Sequence, residues 1–463
     1  MKIAEKKSTW VWIILEITTC SAILTGSGHI YDDITSIPKY GCQWTGGHNT
    51  MVNCTCREDA EEFYIRQGEV PTLDTWAIEI NNCKRVIFGE HAIEDLRNLR
   101  HLHLRNIPSL TLLPESLNWF GYRATYQPDD EVEDENIPSL KIVIENCHID
   151  KISQQTFKGR IKEIRINRCY VTDIEPFAFS SLRQSQTVSL QNTKIESLKI
   201  QAFKLFSTKE LLIENVTLGT LPSRAFSNLK VTENLKISNS NFGSIYSGAF
   251  IIDGAKWFEV SNSNITTLDS DAFDVSVKGD VHFKNNYFDT IHSGAFLKIT
   301  PSKDLVTNTA LYLTLESTYV SFLGLNALEV NGLKLKFVDF KVNDSCNCDG
   351  LMSRFDQFRE SFSEIKCSDG GTPVSLADFK ADSCTILSGH TTMIVVIGII
   401  SILLLIMIIL GLFYYHKTYR EGKYGNSNEP TKNVGLIVPD GRTYKETEVH
   451  VILERADLLT TDL

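Results

Sequence analysis

A repeated unit of 22 to 24 residues constrains the fold of this chain more than any other feature. Each copy begins with a short apolar strand, and the residue that closes the strand recurs between Ile144 and Phe283 at spacings of 22, 24, 23, 24, 23 and 23. One strand per copy cannot bury its apolar side alone, so consecutive copies must stack into a continuous core. The sequence therefore predicts a solenoid. The closing residues that superpose are Ile80, Leu104, Ile144, Ile166, Leu190, Ile213, Ile237, Val260, Phe283, Leu315 and Phe337.

The second half of each copy is also repeated, as in IENVTLGTLPSRAF and VSNSNITTLDSDAF. These copies resemble the extracellular leucine-rich repeat family, whose unit runs L-x-x-L-x-L-x-x-N-x-L-x-x-L-P-x-x-x-F. The resemblance implies an α/β solenoid of horseshoe form over residues 78–340, with about ten or eleven repeats and cysteine-rich caps. A right-handed parallel β-helix competes for this period, but it does not require the LxxLPxxAF half. Aromatic residues near the ends of the copies are expected to stack on the convex side: Phe157, Phe179, Phe203, Phe226, Phe250, Phe273 and Phe296.

The sequence departs from the family at the position that usually carries Asn. Cys147, Cys169 and Thr193 are among the residues found there, while several copies carry Asn one residue earlier. Because the family's Asn satisfies backbone groups in the turn, we expect an irregular hydrogen-bonding ladder at this corner. The shifted asparagines are Asn146, Asn192, Asn215, Asn239, Asn262 and Asn285.

Two apolar segments set the expected topology. Residues 1–28 have a basic start, a short apolar core and small residues at the end, which is typical of a secretory signal peptide. Residues 391–415 are uncharged and mostly apolar, and at about 1.5 Å per residue they can cross a hydrocarbon core. Basic residues follow at once, which favours a cytoplasmic C-terminal end. We therefore expect a single-pass type I protein of the cell membrane, with a mostly disordered cytoplasmic tail at 416–463.

Four cysteines follow the last repeat in the order Cys346, Cys348, Cys367, Cys384. This order resembles the C-terminal cap of the same family and implies the pairs Cys346–Cys367 and Cys348–Cys384, within a cap and stalk at 341–390. A zinc site is the alternative, although a secretory compartment favours disulfides.

Other cysteines lie near the start of the repeats. Residues 29–77 are expected to form an N-terminal cap that contains Cys42, Cys54 and Cys56, with Cys83 just beyond it, and the spacing leaves their pairing open. Cys147 and Cys169 occupy the same position of adjacent copies, as a bridge or as two buried thiols. The high burial of free cysteine favours thiols.

Composition and motifs limit the classes of function that this chain can have. The net charge of −11 argues against nucleic-acid binding, which needs a basic face. The sequence contains no Gly-rich phosphate loop, G-x-S-x-G elbow or H-E-x-x-H motif, so we expect neither an enzyme nor a cofactor. The alternation RHLHLR at 100–105 is interpreted as a polar strand face rather than a metal pair. The acidic run DDEVEDE lies in an insertion near 121–139, interpreted as a solvated loop rather than a calcium site.

N-x-[ST] sequons support exposure to the secretory pathway. All of them precede the apolar segment at 391–415, so the expected topology would present them for glycosylation. The candidate sites are Asn53, Asn215, Asn264 and Asn343.

Polar residues between the apolar strand positions are expected to line the concave face, the usual binding surface of a solenoid. Trp257 and Tyr312 fall on this face, where an exposed aromatic ring can anchor an interface or instead pack against a glycan or a neighbouring turn. The candidate partner-binding residues are His103, Arg105, Arg165, Trp257, Glu259, His282 and Tyr312.

The tail carries three short patterns. Thr461 and Leu463 fit a ligand of PDZ domains, which add the peptide as a strand and capture its carboxylate. Glu454, Leu458 and Leu459 resemble an acidic dileucine sorting signal, and Tyr444 is a candidate phosphorylation site.

The sequence therefore indicates a cell-surface protein that binds an extracellular or same-membrane protein, itself being one candidate, in adhesion or as a receptor or co-receptor. One alternative is a membrane scaffold or trafficking regulator acting through PDZ and sorting-adaptor binding by the tail. A more remote alternative is a β-helix carbohydrate enzyme.

Overall fold

A computed structural model describes residues 41–44, 50–56, 62–70, 75–121, 139–181, 183–305, 310–384 and 389–421. The expected signal peptide, nearly all of the acidic insertion and the tail motifs lie outside these residues. The chain divides into two compact units, Met1–Ser388 and Gly389–Leu463.

The first unit is a solenoid in which each coil adds a strand to one long sheet. Apart from the antiparallel first pair, the strands are parallel, as stacking of successive coils requires. Numbered in chain order, the strands of the main ladder of this long sheet are β1 (Cys42–Trp44), β2 (Thr50–Thr55), β4 (Thr75–Asn81), β6 (His101–Arg105), β8 (Leu140–Glu145), β10 (Ile161–Asn167), β12 (Ser185–Gln191), β15 (Ser207–Glu214), β17 (Phe226–Ser238), β20 (Trp257–Ser261), β23 (Val281–Lys284), β26 (Tyr312–Glu316) and β28 (Lys334–Val338).

The strand register matches the superposition made on the sequence. Ile80 is paired with Leu104 and Leu104 with Ile144, and the same row continues without a slip through Phe283 and Leu315 to Phe337. The row also extends upstream, because Cys54 of β2 is paired with Ile80. The solenoid thus begins one coil earlier than the repeat pattern indicates.

A second sheet lies on another side of the coils. Its strands are parallel except for the last pair. They are β3 (Phe63–Ile65), β5 (Val86–Phe88), β7 (Leu110–Leu112), β9 (His148–Ile152), β11 (Tyr170–Ile174), β13 (Lys194–Leu198), β16 (Thr217–Leu221), β18 (Asn241–Ile245), β21 (Asn264–Leu268), β24 (Tyr287–Ile291), β27 (Tyr319–Leu323), β29 (Phe340–Ser345), β30 (Ile365–Asp369) and β31 (Thr372–Ser375).

A third, shorter ladder gives the central coils three strands each. It joins the main ladder through β17, whose 13 residues span both. Its other strands are β14 (Phe203–Lys204), β19 (Phe250–Ala255), β22 (Phe273–Val277) and β25 (Ile299–Pro301). The expected solenoid is confirmed, and in the described part of the repeats every side is built from strands and turns.

The shifted asparagines form a regular corner rather than an irregular one. Each has a positive φ, from 49° to 53°, in the left-handed region that Asn tolerates better than other residues with a side chain. Each also donates its backbone N–H to the next coil, as Asn239 does to the Ser261 carbonyl at 2.9 Å. The shift therefore follows from backbone conformation, and the expectation of an irregular ladder was wrong.

The aromatic side chains near the ends of the copies stack as expected. From Phe157 to Phe273, successive ring centroids lie 4.6, 4.0, 4.6, 4.8 and 5.1 Å apart, with interplanar angles of 9° to 23°. Phe296 makes an edge contact with Phe283 at 5.2 Å. All of these rings are fully buried or nearly so. Stacked aromatic rings contribute about 0.5–1.5 kcal/mol per pair beyond their buried area, so this spine links the coils.

Both ends of the solenoid are held by disulfides. Cys42 is bonded to Cys54 and Cys56 to Cys83 at the start. At the other end, Cys346 is bonded to Cys367 and Cys348 to Cys384, the pairing that the resemblance implies. All four C-terminal cysteines are therefore in disulfides, and none of them is a thiolate ligand for zinc.

The C-terminal cap closes the core with short helices. After β29 come α1 (Leu351–Phe355) and a 3-10 helix (Asp356–Ser361), and α2 (Leu376–Phe379) follows β31. Phe355 lies 6.2 Å from Phe337 and 6.4 Å from Phe340 between ring centroids, so α1 covers the last apolar face of the repeats.

The second unit contains helix α3 (Gly389–Glu421). An 18-residue stretch of its segment Met393–Thr418 has a mean hydropathy of 3.5, and the helix is long and apolar enough to cross a membrane.

Candidate partner-binding face

Alternation along the main-ladder strands presents side chains outward in three rows, which we call the outer face. In β6, for example, Leu102 and Leu104 are buried while His101, His103 and Arg105 point away from the core. The structure places all seven sequence-predicted partner-binding residues on this face. Its middle row contains Glu79, His103, Val143, Arg165, Ser189, Leu212, Lys236, Glu259, His282, Thr314 and Lys336.

The N-terminal part of the outer face is a network of compensated charges. Glu145 Oε2 lies 3.3 Å from His103 Nε2 and 3.6 Å from Arg105 Nε. On the neighbouring strands, Glu163 contacts Lys141 at 2.8 Å and Arg165 at 2.9 Å. His103, Arg105 and Arg165 therefore each lie beside a carboxylate, and these three residues do not form an uncompensated basic cluster.

The C-terminal part brings together Trp257, Glu259, His282 and Tyr312, which we call the aromatic patch. The Trp257 ring stacks on His282 with centroids 4.6 Å apart and planes 23° apart. Its Nε1 donates to Glu259 Oε2 at 3.2 Å. These two contacts fix the indole while leaving Trp257 41% exposed. A large ring held rigidly and left in water loses little conformational entropy on binding, which suits it as an anchor.

Glu259 is the polar centre of the aromatic patch. Burial opposes its ionisation, but hydrogen bonds from Ser261 and Trp257 and the charge of Lys236 outweigh it and hold the pKa of Glu259 below its usual value. Ser261 Oγ donates at 2.8 Å and Lys236 Nζ lies 3.6 Å away. The carboxylate therefore stays ionised at neutral pH and keeps the indole N–H partnered.

Tyr312 extends the aromatic patch by two strands. Its backbone N–H donates to Asp280 Oδ1 at 2.8 Å, which orders the start of β26. Tyr312 is 40% exposed. Since neighbouring strands are about 4.8 Å apart, the backbones of Trp257 and Tyr312 lie about 10 Å apart, within one protein contact.

Sequence reasoning missed Trp76 at the N-terminal end of the face. It is 38% exposed, and its ring lies 4.6 Å from that of His101. Trp76 stands four residues before its strand's closing residue, Ile80, whereas Trp257 and Tyr312 stand three before theirs. This offset hid it, and the hydrophobic pattern did not predict that Thr75 and Ala77, on either side of it, are both buried.

The sequons lie mostly away from the outer face. Asn264 begins β21 and Asn343 lies in β29, both in the second sheet, while Asn215 occupies the corner after β15. Asn53, in β2, is paired with Glu79 and so belongs to the N-terminal edge of the outer face. All four are exposed.

Two cysteines remain as buried thiols, Cys147 and Cys169. Cys147 Sγ lies 3.1 Å from the Glu145 carbonyl, and Cys169 Sγ lies 3.2 Å from that of Asn167. Hydrogen bonding to Cys169 and burial raise the pKa of Cys147, so it is protonated at neutral pH. Across the described residues, no group of three or more His, Cys, Asp or Glu side chains is arranged to hold a metal ion.

The repeats match the model of one known protein family. The model described as "BspA type Leucine rich repeat region" matches in six copies, over residues 135–252 and 204–319. A search of curated proteins gave no significant match.

Proposed function

We propose, from the match of residues 135–319 to the BspA-type leucine-rich repeat model, that the protein is a cell-surface binding protein, anchored by α3, that engages a protein partner through its outer face. The solenoid lies outside the cell and the C-terminal end of α3 lies in the cytoplasm. The protein acts by binding rather than by catalysis, in adhesion or as a receptor or co-receptor.

The disulfides and the helix support the location. Four disulfides close the ends of the solenoid, and such bonds persist in oxidising compartments. The apolar segment Met393–Thr418 is followed by Arg420 and Lys423, and basic residues flank the cytoplasmic ends of membrane helices.

The aromatic patch is the observation that carries the binding role. An exposed Trp that is fixed by His282 and Glu259, about 10 Å from an exposed Tyr, matches the rigid aromatic anchors on which protein interfaces centre. None of the four sequons lies on the outer face between β4 and β28, so glycans would leave this surface free. A stacked scaffold also changes little on binding.

The location is tested with the full-length chain expressed in cells and tagged at its C-terminus. We expect glycosidase treatment to increase its gel mobility, and antibody to reach the tag only after permeabilisation. Tag staining on intact cells, or a chain without glycan, would contradict the proposed topology.

The binding role is tested with the double variant Trp257→Ala/Tyr312→Ala. The matched control is Tyr246→Ala, a residue that is 45% exposed just after β18 in the second sheet. Light scattering of the detergent-purified chain over a concentration series first tells whether it associates with itself. If it does, the double variant should weaken association at least about tenfold, equal to about 1.4 kcal/mol, and the control should not.

If the chain stays monomeric, cell-surface crosslinking identifies the neighbour instead. We expect a protein captured by the wild type and by Tyr246→Ala but not by the double variant. Equal self-association or equal capture by all three chains would overturn the assignment of the aromatic patch.

A further inference from the structure

The second sheet carries exposed or partly exposed aromatic residues on two neighbouring strands, Tyr287 in β24 and Tyr319 and Phe322 in β27, which we call the cluster. The rings of Tyr287 and Tyr319 stack with centroids 5.3 Å apart and planes 11° apart. Tyr287 is 42% exposed and Phe322 54% exposed. The Tyr287 hydroxyl lies 2.9 Å from Ser321 Oγ, which fixes the ring over β27. The cluster is thus an ordered, partly apolar surface that faces away from the core.

Two sequons flank this cluster on the same face. Asn264 of β21 is paired in register with Tyr287, one strand away. On the other side, Val320 is paired with Val342, so Asn343 follows beside Ser321. Val320 and Val342 are both buried, and the residues after them therefore both point outward. The backbones of Asn264 and Tyr287, and of Ser321 and Asn343, are each about 4.8 Å apart.

We propose that the N-linked oligosaccharides on Asn264 and Asn343 fold back over the rings of Tyr287, Tyr319 and Phe322. The inference rests on the extracellular topology proposed above. One face of a pyranose ring carries axial C–H groups and is apolar, and it packs well on the π-face of an aromatic ring. The hydroxyl groups on the rim of the sugar stay in water.

The covalent link favours this occupant over a protein partner. A sugar attached one strand away is present at a high effective concentration, whereas a free partner must bring its own binding energy. A stable protein interface also buries about 800 Å² on each side, and glycans at both edges would obstruct approach to the cluster. The outer face has the opposite arrangement, with its aromatic patch away from sequons.

The test measures accessibility of individual tyrosines in the full-length chain, purified in detergent from a glycosylating host. Tyrosine nitration by tetranitromethane is followed residue by residue with mass spectrometry, before and after enzymatic removal of the glycans. We expect nitration of Tyr287 and Tyr319 to rise severalfold on removal. Tyr246 is the matched control, because it is 45% exposed. It follows the C-terminal end of β18, whereas Asn264 is paired with Asn241 at the start of that strand. The nitration of Tyr246 should not change.

Single-site variants separate the two glycans. Asn264→Gln should raise the nitration of Tyr287, and Asn343→Gln should raise that of Tyr319, in the folded protein without any enzyme treatment. Unchanged nitration in chains shown by mass spectrometry to carry both glycans would overturn the inference alone. A chain with no glycan at any sequon would overturn it together with the proposed topology.

Discussion

At the scale of single residues, backbone conformation explains choices that hydrophobic patterning does not. The corner after each main-ladder strand from β4 to β28 has a positive φ, and Asn fills it in Asn82, Asn106 and the six shifted asparagines. Their side chains add a second ladder, as when Asn215 Nδ2 donates to Asn192 Oδ1 at 2.8 Å. The Asn thus serves both the turn and the stacking of coils.

Gly159 gives the sharpest prediction at this scale. Its φ is +105°, and an added Cβ would lie 1.9 Å from the carbonyl oxygen of Trp119. We expect Gly159→Ala to lower the free energy of unfolding by about 2–5 kcal/mol, from backbone strain and the clash together. Thermal and denaturant unfolding measure the loss. Gly219→Ala is the control, since its Cβ would meet nothing within 4 Å, and an equal loss there would contradict the explanation.

The buried thiols give a second prediction. Cys147 and Cys169 donate to carbonyls at the corner position where Thr193 donates to the Gln191 carbonyl at 2.7 Å. Cys169→Thr should therefore keep stability within about 0.5 kcal/mol, whereas Cys169→Val, of similar size, should lose about 0.5–1.5 kcal/mol, because the Asn167 carbonyl then keeps only its other donor, the Asn146 N–H. Urea unfolding compares the two. Equal stability of the two variants would show that the thiol hydrogen bond contributes nothing.

At the scale of elements, side chains at this corner satisfy the backbone of the preceding coil. Ser240 Oγ accepts from the Val216 N–H at 3.1 Å, Ser263 Oγ accepts from the Ser240 N–H at 3.2 Å, and Asn286 Oδ1 accepts from the Ser263 N–H at 2.9 Å. The position that usually carries Asn in the family therefore still accepts a hydrogen bond from the backbone of the preceding coil. Ser240 and Ser263 do this in two coils.

Removing one of these side-chain hydrogen bonds tests that role. Ser263→Ala leaves the buried Ser240 N–H without its acceptor, so we expect a loss of about 1–3 kcal/mol. The matched control is Ser270→Ala, at an exposed turn residue between β21 and β22, which should change stability by less than about 0.5 kcal/mol. Hydrogen exchange should locate the effect at the Ser240 amide. Unchanged protection of that amide in Ser263→Ala would contradict the assignment.

Periodicity determined how much of the fold could be predicted from the sequence. The row from Ile80 to Phe337 and the Phe spine were predictable because both recur at fixed spacing and must be buried. The left-handed corners were not, since a hydrophobic pattern carries no information on φ. The first coil, at β2, was hidden because a disulfide-bonded Cys54 stands where the other copies have an aliphatic or aromatic residue. On the outer face the positions were predictable, but the pairing of Trp257 with His282 and Glu259 depends on rotamers.

At the scale of the whole molecule, the stability of the two ends determines where the solenoid begins to unfold. Each coil packs mainly on its two neighbours, so stability is close to a sum of local terms and unfolding can begin at an exposed end. The C-terminal end is held by α1 over Phe337 and Phe340 and by the disulfides Cys346–Cys367 and Cys348–Cys384. Fraying there would expose the coils that carry Tyr312 and the aromatic patch.

The final prediction follows from this one-dimensional stacking. Removing the second bridge with Cys348→Ser/Cys384→Ser should cost about 3–4 kcal/mol locally, because it releases a closed segment of 36 residues. Hydrogen exchange of the full-length chain should then show faster exchange in β26, β28 and β29, while β6 and β8 keep their wild-type protection. Cys147→Ser/Cys169→Ser is the matched control, since it also removes two sulfurs but opens no bridge, and it should leave the C-terminal coils unchanged. Uniform loss of protection along all the coils in the first variant would instead mean that the solenoid unfolds as one cooperative unit. In that case the C-terminal cap would stabilise the aromatic patch only through global stability.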